Sequence, residues 1–114
     1  MSKSLNTWEG RRALTDNASA GAETLKKAAR ELMEINLLSD AADFFKRAGD
    51  DEGLHEIINQ AVREGNFFIF KEASSKLSSS LKDRAKLEAL METAENNGQM
   101  LYLEQAERYL KDYL

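Results

Sequence analysis

Neither cysteine nor proline occurs in this 114-residue chain, which holds six glycines, one histidine and one tryptophan. Without cysteine there can be no disulfide, no thiolate metal ligand and no cysteine nucleophile, so stability has to come from packing. The missing proline and scarce glycine disfavour a sheet protein punctuated by turns. With 42% hydrophobic and 32% charged residues, they point instead to long helices and an all-α fold of one domain's size. No apolar run approaches the ~20 residues of a membrane span, and residues 1–21 lack the apolar stretch of a signal peptide. Membrane insertion is therefore not expected, and the expected location is cytoplasmic. There the sequon at Asn17 has no role. Arg11 and Arg12 among serines resemble part of a transit peptide, but Glu9 and Asp16 count against one. A formal charge of −4, from 16 basic and 20 acidic residues, does not fit a surface built to neutralise phosphates, so nucleic acid is not an expected partner.

The chain does contain a repetition. The stretch AVREGNFFIFKEA from Ala61 is echoed by AENNGQMLYLEQA from Ala94, and a third copy can be set on Ala29, giving separations of 32 and 33 residues. Seven residues before these anchors stand Ala22, Leu54 and Leu87, and four before stand Leu25, Ile57 and Leu90. Offsets of −7, −4 and 0 share one helix face, so each copy is expected to begin with an amphipathic helix A. After the anchors, Ile35, Phe67 and Met100 stand level, followed by Leu38, Phe70 and Leu103, then Ala41, Ala73 and Ala106, then Phe45, Leu77 and Leu110. The last three sets form the buried stripe of a helix B.

Turn signals agree. Gly65 and Gly98 fall where helix A should end, because glycine enters the left-handed region without steric cost; Asn36 fills that place less well in the first copy. Between copies, AGDDEG supplies a glycine stop at Gly49 and acidic residues suited to a helix N-terminus, and Ser80 with Asp83 loosely matches a capping box. Serines 74, 75, 78, 79 and 80 are weak helix formers and predict fraying at the end of the fourth helix. Six helices are expected, at about 22–35, 39–48, 52–64, 66–78, 82–96 and 99–113, paired as hairpins over 22–48, 52–78 and 82–113. Alanines where helices A and B should cross would let the helices approach closely, which fits stacked repeats better than the alternative, an ordinary six-helix bundle. Residues 1–21 read as a flexible polar arm. Trp8 within it is either a docking anchor or part of a short capping turn.

The segment AETLKKAARELMEINLLSDAADFFKRA from Ala22 resembles a tetratricopeptide repeat: Ala22, Leu25, Ala28, Ala29 and Leu32 match its helix A pattern, and Leu38, Ala41, Phe45 and Ala48 its helix B pattern. The later copies depart from it. Their glycines come about one turn early, Glu64 and Asn97 replace the apolar residue matched by Leu32, and no copy ends in proline. Their helix ends also resemble the degenerate hairpins of vesicle-coat solenoids. The resemblance spans 22–114 and implies three stacked antiparallel hairpins in a short right-handed α-solenoid, whose helices A line a concave groove for a peptide or helix. By that resemblance the groove residues would be Lys26 and Arg30, then His55, Ile58, Val62 and Asn66, then Met91, Glu95 and Gln99. The basic residues do not complete the carboxylate clamp of tetratricopeptide domains that bind acidic tails. The function implied is a non-catalytic adaptor or protein-interaction module; the alternative is a structural homo-oligomer with no groove ligand.

The C-terminal helix carries a separate signal. Leu101, Tyr102, Leu103, Tyr109, Leu110, Tyr113 and Leu114 fall on more than one face, whereas a solenoid's last helix normally has a polar outer side. A second copy, further repeats, or the arm with Trp8 and Leu14 could cover it, and a homodimer through this end is the expectation. No catalytic constellation is evident. Glu52 and His55 form half of a di-iron Glu-x-x-His pattern that needs two such pairs. The acidic pairs Asp50 with Asp51 and Glu31 with Glu34 read as solvated or capping groups. Phosphate loops, metal-ligand clusters and nucleophile elbows are missing, so neither an enzyme nor a cofactor is expected.

Overall fold

Four residues bend the chain. Asn36, Gly49, Gly65 and Gly98 all have φ between 63° and 71°, the left-handed region. The computed structural model describes residues 21–78 and 83–113, and within them these four separate most of the helices. The helices are α1 (Ala22–Glu34), α2 (Leu38–Ala48), α3 (Asp51–Glu64), α4 (Phe67–Ser75), α5 (Arg84–Asn96) and α6 (Met100–Tyr113). No strand occurs among the described residues, so the fold is all-α.

The turns share one hydrogen-bond pattern. The amides of Leu37, Asp50, Asn66 and Gln99 each donate five residues back, to the carbonyls of Leu32, Phe45, Ala61 and Ala94, at 2.8–2.9 Å. The left-handed residue before each donates three back, at 2.9–3.2 Å. This is the Schellman arrangement, which satisfies carbonyls that a helix end would otherwise orphan. The next residue often starts the following helix. Asp50 Oδ1 accepts from the Gly53 amide at 3.2 Å and Asn66 Oδ1 from the Ile69 amide at 3.1 Å. Asp83 caps α5 in the same way, accepting from the Lys86 amide at 3.0 Å. It is thus the N-cap itself and not the reach-back member of a capping box; Ser80 lies outside the described residues.

Helix ends agree with expectation to within two residues, except that α4 stops at Ser75 and not at 78. There the serines bond elsewhere: Ser75 Oγ donates to the Glu72 carbonyl, and the Ser78 amide and hydroxyl both donate to the Asp51 carboxylate. Serine side chains that satisfy such partners compete with helix propagation. The expected start of α5 at 82 and the arm 1–20 lie outside the described residues.

The repeat register needs one correction. The turn residue follows Ala61 and Ala94 by four positions but follows Ala29 by seven. Leu32, not Ala29, therefore stands at the structural place of Ala61 and Ala94: all three carbonyls accept the five-back bond, and all three side chains are fully buried. Ala22, aligned with Leu54 and Leu87, is exposed, and Ile35, aligned with Phe67 and Met100, is 41% exposed beside the turn.

The largest fully buried side chains are Phe45, Leu32, Leu54, Ile57, Ile58, Leu87 and Leu90, from α1, α2, α3 and α5. α1 packs on α2, α2 on α3 and α4, α3 on α4 and α5, and α6 on α5 and α4. Two close approaches fix this arrangement. A methyl built on Gly53 would lie 2.2–2.6 Å from carbons of the Phe45 ring, so α3 begins directly against α2. One built on Gly65 would sit 2.7 Å from the Ala94 amide nitrogen, so the end of α3 rests against α5. The described chain measures 44 × 28 × 17 Å, with a thickness of about two packed helices.

Candidate interaction surface

The nine residues expected to line a groove on helices A differ widely in exposure. Ile58 is fully buried and offers nothing to a ligand, and Val62 and Met91 pack against the core. That overturns Ile58 as a groove residue: with α5 lying against α3, the face it occupies is internal. Asn66 is half-buried and engaged in capping α4. Gln99 is half-buried at the α5–α6 turn, His55 is half-buried near the start of α3, and Glu95 is exposed.

Lys26 and Arg30 do stand at an open depression of about 620 Å³ between α1 and the start of α3. Its charge is mixed, with acidic groups in excess. Glu23, Glu31, Glu34, Asp50 and Glu52 line it beside Lys26, Lys27 and Arg30, so cations are outnumbered. Arg30 is also occupied: its guanidinium donates to Glu56 Oε2 at 2.9 Å and lies 5.7 Å from the centre of the Phe45 ring. The hydrogen bond that Arg30 donates to Glu56, with the negative charge of that carboxylate, raises the Arg30 pKa above its ordinary value. Lys26 pairs with Glu23 at 3.5 Å.

On the opposite helices lies a different kind of site. An open cleft of about 360 Å³ runs between α4 and α6, with Phe67, Phe68, Tyr109 and Tyr113 as its aromatic part and Lys71, Gln105, Arg108 and Asp112 around them. Its inner wall is a chain of rings. Phe67 meets Phe70 at 6.3 Å and Tyr109 edge-on at 5.6 Å, and Tyr109 meets Tyr113 at 4.9 Å. Such contacts hold rings in place more firmly than area burial alone. Phe67 is buried against the core, but Phe68 is 58% and Tyr113 66% exposed.

The expected oligomer interface accordingly divides. Tyr102, Tyr109 and Leu110 turn inward and pack on the core, as partly buried residues, while Leu101 and Tyr113 are each 66% exposed. Leu114 lies outside the described residues. Phe68 was not foreseen, and neither was the 60% exposure of Met100. A signal for Phe68 did exist: four consecutive apolar residues, FFIF, cannot all face one side of a helix. Phe67, Ile69 and Phe70 take the buried places and Phe68 is left outside.

A tether joins the start of α3 to the segment that follows α4. Asp51 receives the Ser78 hydroxyl and, at 3.3 Å, the Ser78 amide. The hydroxyl bond chiefly lowers the Asp51 pKa below the ordinary carboxylate range, partly opposed by desolvation and helped by the amide, His55 and Lys46. Among the described residues, no group of three or more His, Asp or Glu is placed to hold a metal, and no helix is long and apolar enough to cross a membrane. Comparison with protein-family models, with curated proteins and with solved structures finds no match to this chain.

Proposed function

We propose that this chain is a non-catalytic protein-interaction module of the cytoplasm: three hairpins, α1–α2, α3–α4 and α5–α6, stacked as a short tetratricopeptide-like solenoid. Its docking face is the α4–α6 side, and its ligand is a helical segment of a protein. The observation that carries this reading is the exposure of Phe68 and Tyr113 across a cleft backed by ordered rings. Contiguous exposed apolar surface rimmed by polar groups is characteristic of association sites, and aromatic residues dominate their energetics. Lys71, Arg108 and Asp112 at the rim would orient a partner without supplying most of the affinity. The stacking itself is supported by the order of packing, in which each hairpin rests on the next in sequence, and by the two-helix thickness.

The test is affinity capture with immobilised protein in two forms. Phe68→Asp is expected to lose a partner that wild type retains, while Lys26→Glu retains it. Loss with Lys26→Glu and retention with Phe68→Asp would return the site to helices A and contradict the proposal.

A further inference from the structure

We infer that the partner seated on the α4–α6 face is a second copy of this chain, with the two α6 helices antiparallel across a two-fold axis. The inference rests on the reading of that face as the docking surface, and it names the occupant. In this arrangement Leu101 of each copy enters the cleft between Phe68 and Tyr113 of the other.

The argument begins with what one helix carries. Leu101, Gln105, Arg108 and Asp112 stand at i, i+4, i+7 and i+11, so they form a single stripe along α6. Three of them line the cleft, and Leu101 continues their stripe one turn beyond it. An exposed apolar knob and an apolar recess therefore lie on the same side of the same helix, separated along its axis by roughly 12–16 Å, about 8–11 residues of rise. A two-fold axis between them brings each knob to the other copy's recess. Self-complementarity of this kind is what an isologous dimer requires.

Charge points the same way. From the knob to the near side of the recess α6 carries Glu104 and Arg108, paired within the helix at 3.5 Å and both mostly exposed. Antiparallel helices crossing near Gln105 set Glu104 of one copy beside Arg108 of the other, twice over, with no like charges opposed at those positions. The remaining face of α6 has little else to satisfy it. Ala106 is its sole buried residue among those described, whereas α3, of the same length, has five.

The experiment is light scattering coupled to size exclusion on the full chain, from about 1 μM to 1 mM, with four variants. Wild type is expected at twice the chain mass. Phe68→Asp and Leu101→Asp should each raise the dissociation constant at least ~100-fold, since symmetry places every substitution in the interface twice. Both should keep wild-type helicity by circular dichroism. Arg108→Glu should weaken the dimer about tenfold at low salt. The paired exchange Glu104→Arg with Arg108→Glu should restore it, and equal helicity of the single and paired variants by circular dichroism separates this from repair of the pair within the helix.

Three results overturn the inference. A wild-type monomer throughout means that the chain's own arm, further repeats or another protein occupies the face. A mass that keeps growing beyond two copies means a head-to-tail contact. A dimer unaffected by Phe68→Asp and Leu101→Asp means a different interface. If wild type is monomeric while Phe68→Asp still abolishes capture of another protein, the docking face stands and only its occupant was misassigned.

Discussion

α3 and α6 are both 14 residues long and both present an apolar stripe, yet α3 buries Gly53, Leu54, Ile57, Ile58 and Ala61 while α6 buries Ala106 alone. The difference lies in neighbours. α3 is covered by α2, α4 and α5, whereas α6 is covered by α4 and α5 on one side. Each large apolar side chain left in water forgoes about 1.5–3 kcal/mol of burial, so the outer face of α6 retains the drive to associate that α3 has already spent on folding. A stripe is thus a statement about what a helix can bury. The packing order decides whether folding or docking uses it.

The largest effect that sharpens this comparison comes from placing a charge on the α3 stripe. Ile58→Asp strands a carboxylate in the core and should cost at least ~4 kcal/mol, enough to abolish cooperative thermal unfolding in a domain of this size. A folded Ile58→Asp would show that α3 is less enclosed than its burial indicates.

Next is the contact that encloses α3. Gly65→Ala forces a side chain into the left-handed region and against the Ala94 backbone, with an expected loss of about 2–4 kcal/mol. Gly98 has nearly the same φ but open space around it, so Gly98→Ala should cost about 1–2 kcal/mol. Melting temperatures that fall equally would mean that the α3–α5 approach is not tight.

Removing Arg30 tests the other side of α1. Exposed and paired with Glu56 over the Phe45 ring, it should contribute at most ~1 kcal/mol, part of which disappears in 1 M salt. A larger loss on Arg30→Ala would make the α1–α3 depression a structural joint.

The smallest effect is electrostatic. Because the Ser78 bonds depress the folded-state pKa of Asp51, the unfolded state binds more protons as pH falls, and the tether's contribution is present above the ordinary value and lost below it. Asp51→Asn should melt below wild type at pH 7, and the gap should close as pH drops below about 4. A gap constant down to pH 3 would show that the tether does not depend on the carboxylate's charge.

These contrasts also show what could be read beforehand. Helix number, most helix ends and the roles of Gly49, Gly65 and Gly98 were legible, because a left-handed turn and a capping acid impose residue types locally. The first copy misled for a local reason: Asn36 performs the turn usually taken by glycine, so the anchor slid to Ala29, and the apolar residues Ala22 and Ile35 matched a pattern without being buried. The site was less legible. Periodicity tells which residues share a face, but α3 lies against α5 at Gly65 while α1 and α3 leave a charged depression between them, and neither follows from a stripe. Ile58 passed for groove and Phe68 went unremarked on that account. On α6, the apolar excess was read correctly, but the inward turn of Tyr102, Tyr109 and Leu110 depended on the helices beneath.

The most direct test of the α6 face is hydroxyl-radical footprinting of the wild-type chain at high and low concentration. On dilution, oxidation of Phe68, Leu101 and Tyr113 should rise together while that of Tyr102 and Leu110 stays constant. Equal oxidation of all five at both concentrations would contradict the account, because the outer face of α6 would then be open to water whether or not a second copy is present.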